Sequence, residues 1–137
     1  MIYTQQIRFK TRGDGDIIDL SARLDEAIAK SGASAGIVTV CTTGSTAGIT
    51  TMEFEPGLRK DIPELMEKLV PQKGYHHDAT WGDGNGFSHL RSSLVGTSFV
   101  VSFSGGKPHL GTWQQVVFLD FDNRPRERSA VIQVMGE

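Results

Sequence analysis

The chain has 137 residues, 38% of them hydrophobic, with one cysteine and a formal net charge of −2 at pH 7, which bounds it to a single globular domain, residues 1–137, able to bury one core. The slightly acidic balance offers no basic field to neutralise a phosphate backbone, so a nucleic-acid partner is not expected. No stretch nears the ~20 apolar residues of a membrane span, and MIYTQQIRFKTRG has no apolar leader, so a soluble, cytoplasmic protein without a membrane partner is expected.

From Ile2 to Thr11, Tyr3, Ile7 and Phe9 alternate with Gln6, Arg8 and Lys10, the period of a half-buried strand. RGDGD then turns the chain. Leu20, Leu24, Ala27 and Ile28 fall at helical spacing over Leu20 to Lys30, with Asp19 or Ser21 to cap the start and Gly32 to close the end. Gly36 to Thr43 is β-branched enough for a central strand, in which Cys41 is expected as a small buried hydrophobe rather than a nucleophile. Ala47 to Thr51 predicts another strand, reached through the tight connection Gly44-Ser45-Thr46.

In LRKDIPELMEKLV the residues Leu58, Ile62, Leu65, Met66 and Leu69 make an apolar helical face, with Pro63 expected to start a fresh turn. Tyr75 to Leu94, YHHDATWGDGNGFSHLRSSL, holds three of the four histidines. The polar, glycine-rich run between His77 and His89, with Asp78, Asp83 and Asn85, predicts an ordered functional loop. Ser88 to Leu94 reads as a short helix ended at Gly96, with Leu90 and Leu94 at i, i+4 in the core. Three strands, Thr97 to Ser104, His109 to Phe121 and Arg126 to Met135, are expected to close the chain as an antiparallel meander. The fold class expected is α+β: one compact domain with a largely antiparallel or mixed sheet covered by a few helices.

His77 and His89 share no helix turn, so they meet only through folding. Imidazoles with nearby carboxylates suit a divalent ion, zinc first and magnesium as the alternative, with a position open to substrate. His76 would point away from His77 in an extended segment, and His109 is expected to decorate a strand. Glu53 and Asp61 are candidates for a metal ligand, a general base or an orienter of a histidine, against the plainer reading of solvent-facing charge. Ser45 and Thr46 offer hydroxyls and backbone N–H groups to an anion. Arg91, Lys107, Arg124 and Arg126 are candidate phosphate partners.

In order, GSTAGITTMEFEPGLRKD, YHHD, NGFSHLRSSLVGTS and GKPHLGTWQQVVFLDFDNRPRERSAVIQVMGE resemble the YjbQ family, which is associated with secondary thiamine-phosphate synthase activity. The resemblance covers nearly the whole chain. It implies a compact α+β fold, a homotrimer, and an intersubunit site whose acidic and imidazole residues correspond here to Glu53, Asp61, His77 and His89. Many relatives carry histidine where this chain has Gly44, so a third imidazole is missing. The implied reaction joins hydroxymethylpyrimidine diphosphate to thiazole phosphate, with His77 and His89 on the ion and Arg91 and Lys107 on phosphate. The alternatives are a metal-dependent hydrolase of a small phosphorylated or heterocyclic metabolite and a non-catalytic trimeric metabolite-binding protein.

Overall fold

Residues Gln115–Asp120 (β7), the run QVVFLD, are buried along nearly their whole length, and the fold is layered about them. The computed structural model describes residues 1–137. Its other elements are β1 (Ile2–Thr11), β2 (Asp16–Asp19), α1 (Ser21–Ser31), β3 (Ala35–Thr42), β4 (Ala47–Met52), α2 (Pro56–Leu69), α3 (His76–Trp81), α4 (Gly86–Val95), β5 (Ser98–Ser104), β6 (Lys107–Pro108) and β8 (Arg126–Gly136). Five strands form one sheet in the order β1-β8-β3-β5-β6, and three form a second in the order β2-β7-β4. Every pairing is antiparallel.

Because side chains alternate along a strand, β7 serves two cores. Val116 and Phe118 join Val38, Val40, Ile132, Val134 and the buried face of α1. Val117 and Leu119, with the following Phe121, face Ile17, Met52 and Met66 of α2. Phe118 also meets Phe9 edge-on at 4.9 Å. Each such buried aliphatic or aromatic side chain contributes about 1.5–3 kcal/mol by leaving water. The α+β fold is as expected, but the last strands are not a meander: β3 lies between β8 and β5, and β7 belongs to the other sheet. The expected His109–Phe121 strand is broken, because Leu110 N donates to Pro108 O and Gln114 N to Gly111 O, turning LGTWQ into a loop.

Helix α1 begins and ends close to expectation, with Asp19 Oδ1 accepting from Ser21 N at 2.9 Å and Gly32 closing it in the left-handed region. Helix α2 runs through Pro63 without restarting. The lost backbone donor is tolerated because Leu58, Ile62 and Met66 seat the helix on the second core on both sides of it. Leu65 and Leu69 instead stand in solvent. Cys41 is half-buried, on the outer face of the five-stranded sheet opposite Val131 and Ser98.

Helix α4 corrects another expectation. Leu90 and Leu94 are 45% and 59% exposed, while Phe87, Ser88, Arg91 and Ser92 are buried. The helix approaches β4 closely, and the residue that bonds to that strand is the small, polar Ser92. A Cβ on Gly48 would lie 2.8 Å from Val95 Cγ1, and Ser92 Oγ donates to Ala47 O at 2.6 Å.

Candidate functional site

The segment expected to be one loop is two short helices with a Gly82–Asn85 turn between them. Asp78 joins them. Its Oδ2 accepts from Tyr75 N and its Oδ1 from Gly86 N, both at 2.9 Å. Those two backbone N–H groups, with a smaller contribution from His77, hold its carboxyl below the usual aspartate range. The junction is tight at Gly86, where a Cβ would sit 3.1 Å from Asp78 Oδ1 and 3.2 Å from Tyr75 Cβ.

This junction brings the two histidines together. The rings of His77 on α3 and His89 on α4 have centroids 4.4 Å apart. His77 Nδ1 lies 3.4 Å from Asp78 Oδ1 and 3.6 Å from Asp83 Oδ1. One donor atom from each of His77, Asp78 and Asp83 falls within 4.8 Å of the others, a spacing that fits a single divalent ion. Each Asp78 oxygen spends one lone pair on a backbone N–H and keeps another, so the same carboxylate can fix the helices and face an ion. His89 borders this cluster and also lines a cleft of about 370 Å³ with Gly44, Ser45, Ser92, Ser93, Gly96 and Thr97.

The floor of the cleft is tied down by backbone bonds from Thr42 N to Thr97 O and from Ile49 N to Gly96 O. Beneath it runs a buried ionic network. Arg128 Nε and Nη2 hold Asp120 with two 2.7 Å bonds, and Thr11 Oγ1 donates to Asp120 at 2.5 Å. Burial pushes the Asp120 carboxyl upward, but the donors of Arg128, Thr11 and the Asp122 backbone outweigh it and hold the group low. Asp122 accepts from Thr46 Oγ1 at 3.2 Å and Asn85 Nδ2 at 3.3 Å, and pairs with Arg126 Nε at 3.3 Å. No pattern in the sequence marks this network, because its members come from β1, β7, β8 and three connections.

Of the sequence-derived candidates, His77, His89 and Ser45 converge on this region. Thr46 does not present its hydroxyl to an anion, since it is buried between Asp122 and Arg128. Arg91 is likewise committed: it is buried, donates to Val70 O and Glu67 Oε2, and stacks on Phe87. Lys107 lies beyond the opposite end of the seven-residue β5, roughly 20 Å along the strand from Thr97 at about 3.3 Å per residue. Arg126 is engaged by Asp122, and Arg124 is exposed in the turn before β8. Glu53 and Asp61 are exposed, at the end of β4 and on α2, without a side-chain hydrogen bond or ion pair in this chain. His76 is exposed. His109 bridges Ser102 Oγ and Ser104 Oγ at 2.7 and 2.8 Å on the sheet surface.

The chain as a whole is similar to a known group of proteins. A family profile described as UPF0047 protein YjbQ-like matches residues 5–137. The chain belongs to the YjbQ family. A UPF0047 protein of Archaeoglobus fulgidus is 39% identical over 131 residues, covering 95% of this chain and 99% of that protein. The crystal structure of a YbjQ-like protein of unknown function from Sulfolobus solfataricus superposes with a TM-score of 0.93 at 26% identity, covering 100% of this chain and 99% of that one. An uncharacterized conserved YjbQ/UPF0047 protein from Clostridium acetobutylicum does so with a TM-score of 0.87 at 31% identity, covering 96% and 99%. No helix of this YjbQ-family chain is long and apolar enough to cross a membrane.

Proposed function

We propose that the cleft beside His89 is an active site for a small phosphorylated metabolite, served by a divalent cation at His77, Asp78 and Asp83. The observation that carries this reading is the placement of His89, whose ring borders both the cation cluster and the hydroxyl-lined cleft. The reaction we assign is transfer of the thiamine-phosphate synthase type. The thiazole nitrogen attacks the methylene carbon of hydroxymethylpyrimidine diphosphate; the C–N bond forms as the C–O bond breaks, and pyrophosphate leaves with the bonding pair. A bound cation would neutralise charge growing on the diphosphate oxygens. In this reading His89 holds or donates a proton at a leaving oxygen, and Ser45, Ser93 and Thr97 position phosphate through their hydroxyls.

Hydrolysis of a phosphorylated metabolite is the second reading, favoured by a cleft lined with serine, threonine, glycine and histidine that suits water as the attacking group. Metal-stripped and metal-restored protein, offered both thiamine precursors and separately a panel of phosphate esters, distinguishes the two. Metal-dependent thiamine phosphate with stoichiometric pyrophosphate supports transfer; inorganic phosphate from the esters supports hydrolysis. Tight binding without turnover leaves the third role, a metabolite-binding protein.

For assembly we infer a cytoplasmic homotrimer. On the outer face of the five-stranded sheet, Ile2, Met135 and Ile37 lie side by side in register, each at least 39% exposed, and Val100 adds 57% exposure on β5. Burying such a face against another copy favours association. Subunit contact would also give the exposed Glu53, Asp61 and Trp113 a role that one chain does not.

A further inference from the structure

A cleft of about 570 Å³, larger than the one beside His89 and sharing no residue with it, separates the RGDGD turn from helix α2. Both of its walls are fixed. On one side Asp14 N donates to Asp122 O at 2.6 Å and Gly15 N to Asp120 O at 2.7 Å. Gly13, at φ +75°, lies so close to the Arg124 backbone that a Cβ would collide with its carbonyl oxygen. On the other side Pro56, Arg59, Lys60 and Pro63 follow at i, i+3, i+4 and i+7, which is one face of α2. Pro63 closes the far end by resting on Gly15, 3.1 Å from where a Cβ would stand.

The charges lining this cleft are unequally spent. Arg12 and Asp16 satisfy each other, through Nη2 to Oδ1 at 3.3 Å and the Arg12 backbone N to Oδ2 at 2.9 Å. The helix end itself offers a ligand little, because Glu55 already accepts from Gly57 N and Leu58 N. Arg59 and Lys60 have no carboxylate partner. The Arg59 guanidinium sits 4.7 Å from the centre of the Phe54 ring, which holds its plane while its N–H edge stays free for an acceptor. Asp14 is the one lining carboxylate left unpaired, so two free cations stand against one free anion.

We propose that this cleft is a second, metal-independent binding site, for a small organic phosphate that carries an amine or hydroxyl donor at its other end. Arg59 meets two phosphate oxygens as a fork and Lys60 meets a third, the pairing these two side chains make best with phosphate. Asp14 accepts from the donor end of the ligand. The volume leaves room for an organic body beyond the phosphate itself, with the two proline rings as its apolar walls. The proposal is independent of the cation reading at His77, Asp78 and Asp83.

The test uses the full chain with a chelator present, titrated with phosphoethanolamine and followed by calorimetry and by assigned amide and arginine Nε–H signals. The expected result is saturable binding of one equivalent, with shifts at Gly13, Gly15, Lys60 and the Arg59 side chain. Arg59→Gln combined with Lys60→Gln should weaken binding by about tenfold or more, and His89→Ala should leave it unchanged. Asp14→Asn, a residue that tolerates the left-handed backbone of this position, should weaken phosphoethanolamine binding more than inorganic phosphate binding. Shifts confined to Gly44, Ser45 and His89 would overturn the proposal by placing the phosphate in the other cleft. Absence of saturation, or unchanged affinity in the folded double variant, would overturn it as well. Equal losses for both ligands in Asp14→Asn would overturn the role of Asp14. If the double variant does not fold, the position of the wild-type shifts still decides.

Discussion

The rings of His77 and His89 stand 4.4 Å apart with planes tilted by 41°, although the two residues belong to different helices separated by a glycine-rich turn. Their approach depends on Asp78, which accepts backbone N–H groups from both sides of that turn. Removing His89 should therefore affect the site more than the fold. His89→Ala is expected to abolish turnover while changing unfolding free energy by less than about 1 kcal/mol, as for a partly exposed side chain. Phe87→Ala on the same helix, at 2% exposure, should cost about 3–5 kcal/mol. Leu94→Ala should stay within about 0.5 kcal/mol. Denaturant melts of the three variants check the contrast.

Asp78 is held below its usual range, so its contribution to stability is present above the unfolded pKa, near 3.9, and is lost as pH falls through the lower folded value. Asp78→Asn should melt below wild type at pH 7, because an amide offers one acceptor where two N–H groups need partners. The difference should shrink toward pH 2. Paired thermal melts across that range would contradict this if the gap stayed constant.

The buried Asp120 pair follows the same sign, its carboxyl being held low in the folded state. Wild-type stability should decline as pH drops below about 4, and Asp120→Asn should flatten that decline. Arg128→Ala leaves the buried Asp120 without its cation and should cost about 3–5 kcal/mol. Urea melts at several pH values measure both effects.

Gly48→Ala places a methyl against Val95 and should destabilise by about 1–3 kcal/mol while moving α4, and His89 with it, away from the Gly44–Ser45 lip. Val95→Ala in the same chain should relieve part of that loss. A double-mutant cycle with no coupling would show that helix and strand do not meet there.

A trimer should give a light-scattering mass near three times the 14.9 kDa chain. Ile37→Glu, on the exposed row with Ile2 and Met135, should lower that mass if this sheet face is the interface. A wild-type monomer at micromolar concentration would overturn the assignment.

Much of the fold was legible because periodicity reports burial directly. The alternation of Ile2 to Thr11 and the helical spacing from Leu20 to Ile28 each describe one element against one core, and Gly32 and Gly96 ended their helices as expected. Periodicity cannot name the partner. QVVFLD reads the same whether its second face meets a helix or a sheet, so only tertiary packing divided the strands into two sheets and put β3 between β5 and β8. The same limit applied to α4, where a leucine pair outweighs serines by hydropathy but it is Ser92 that bonds to β4, at Ala47 O, and the leucines that face outward.

Residue types and their order belong to the chain alone, and they were enough to read the family, the α+β class and the residues able to carry chemistry. The tertiary structure decided which of them are available. Arg91 and Thr46 are consumed by Glu67, Val70, Asp122 and Arg128, while Asp83 stays half in solvent beside His77. A hydrogen bond is satisfied by whatever donor folding brings within about 3 Å, and for these residues that partner lies on another element.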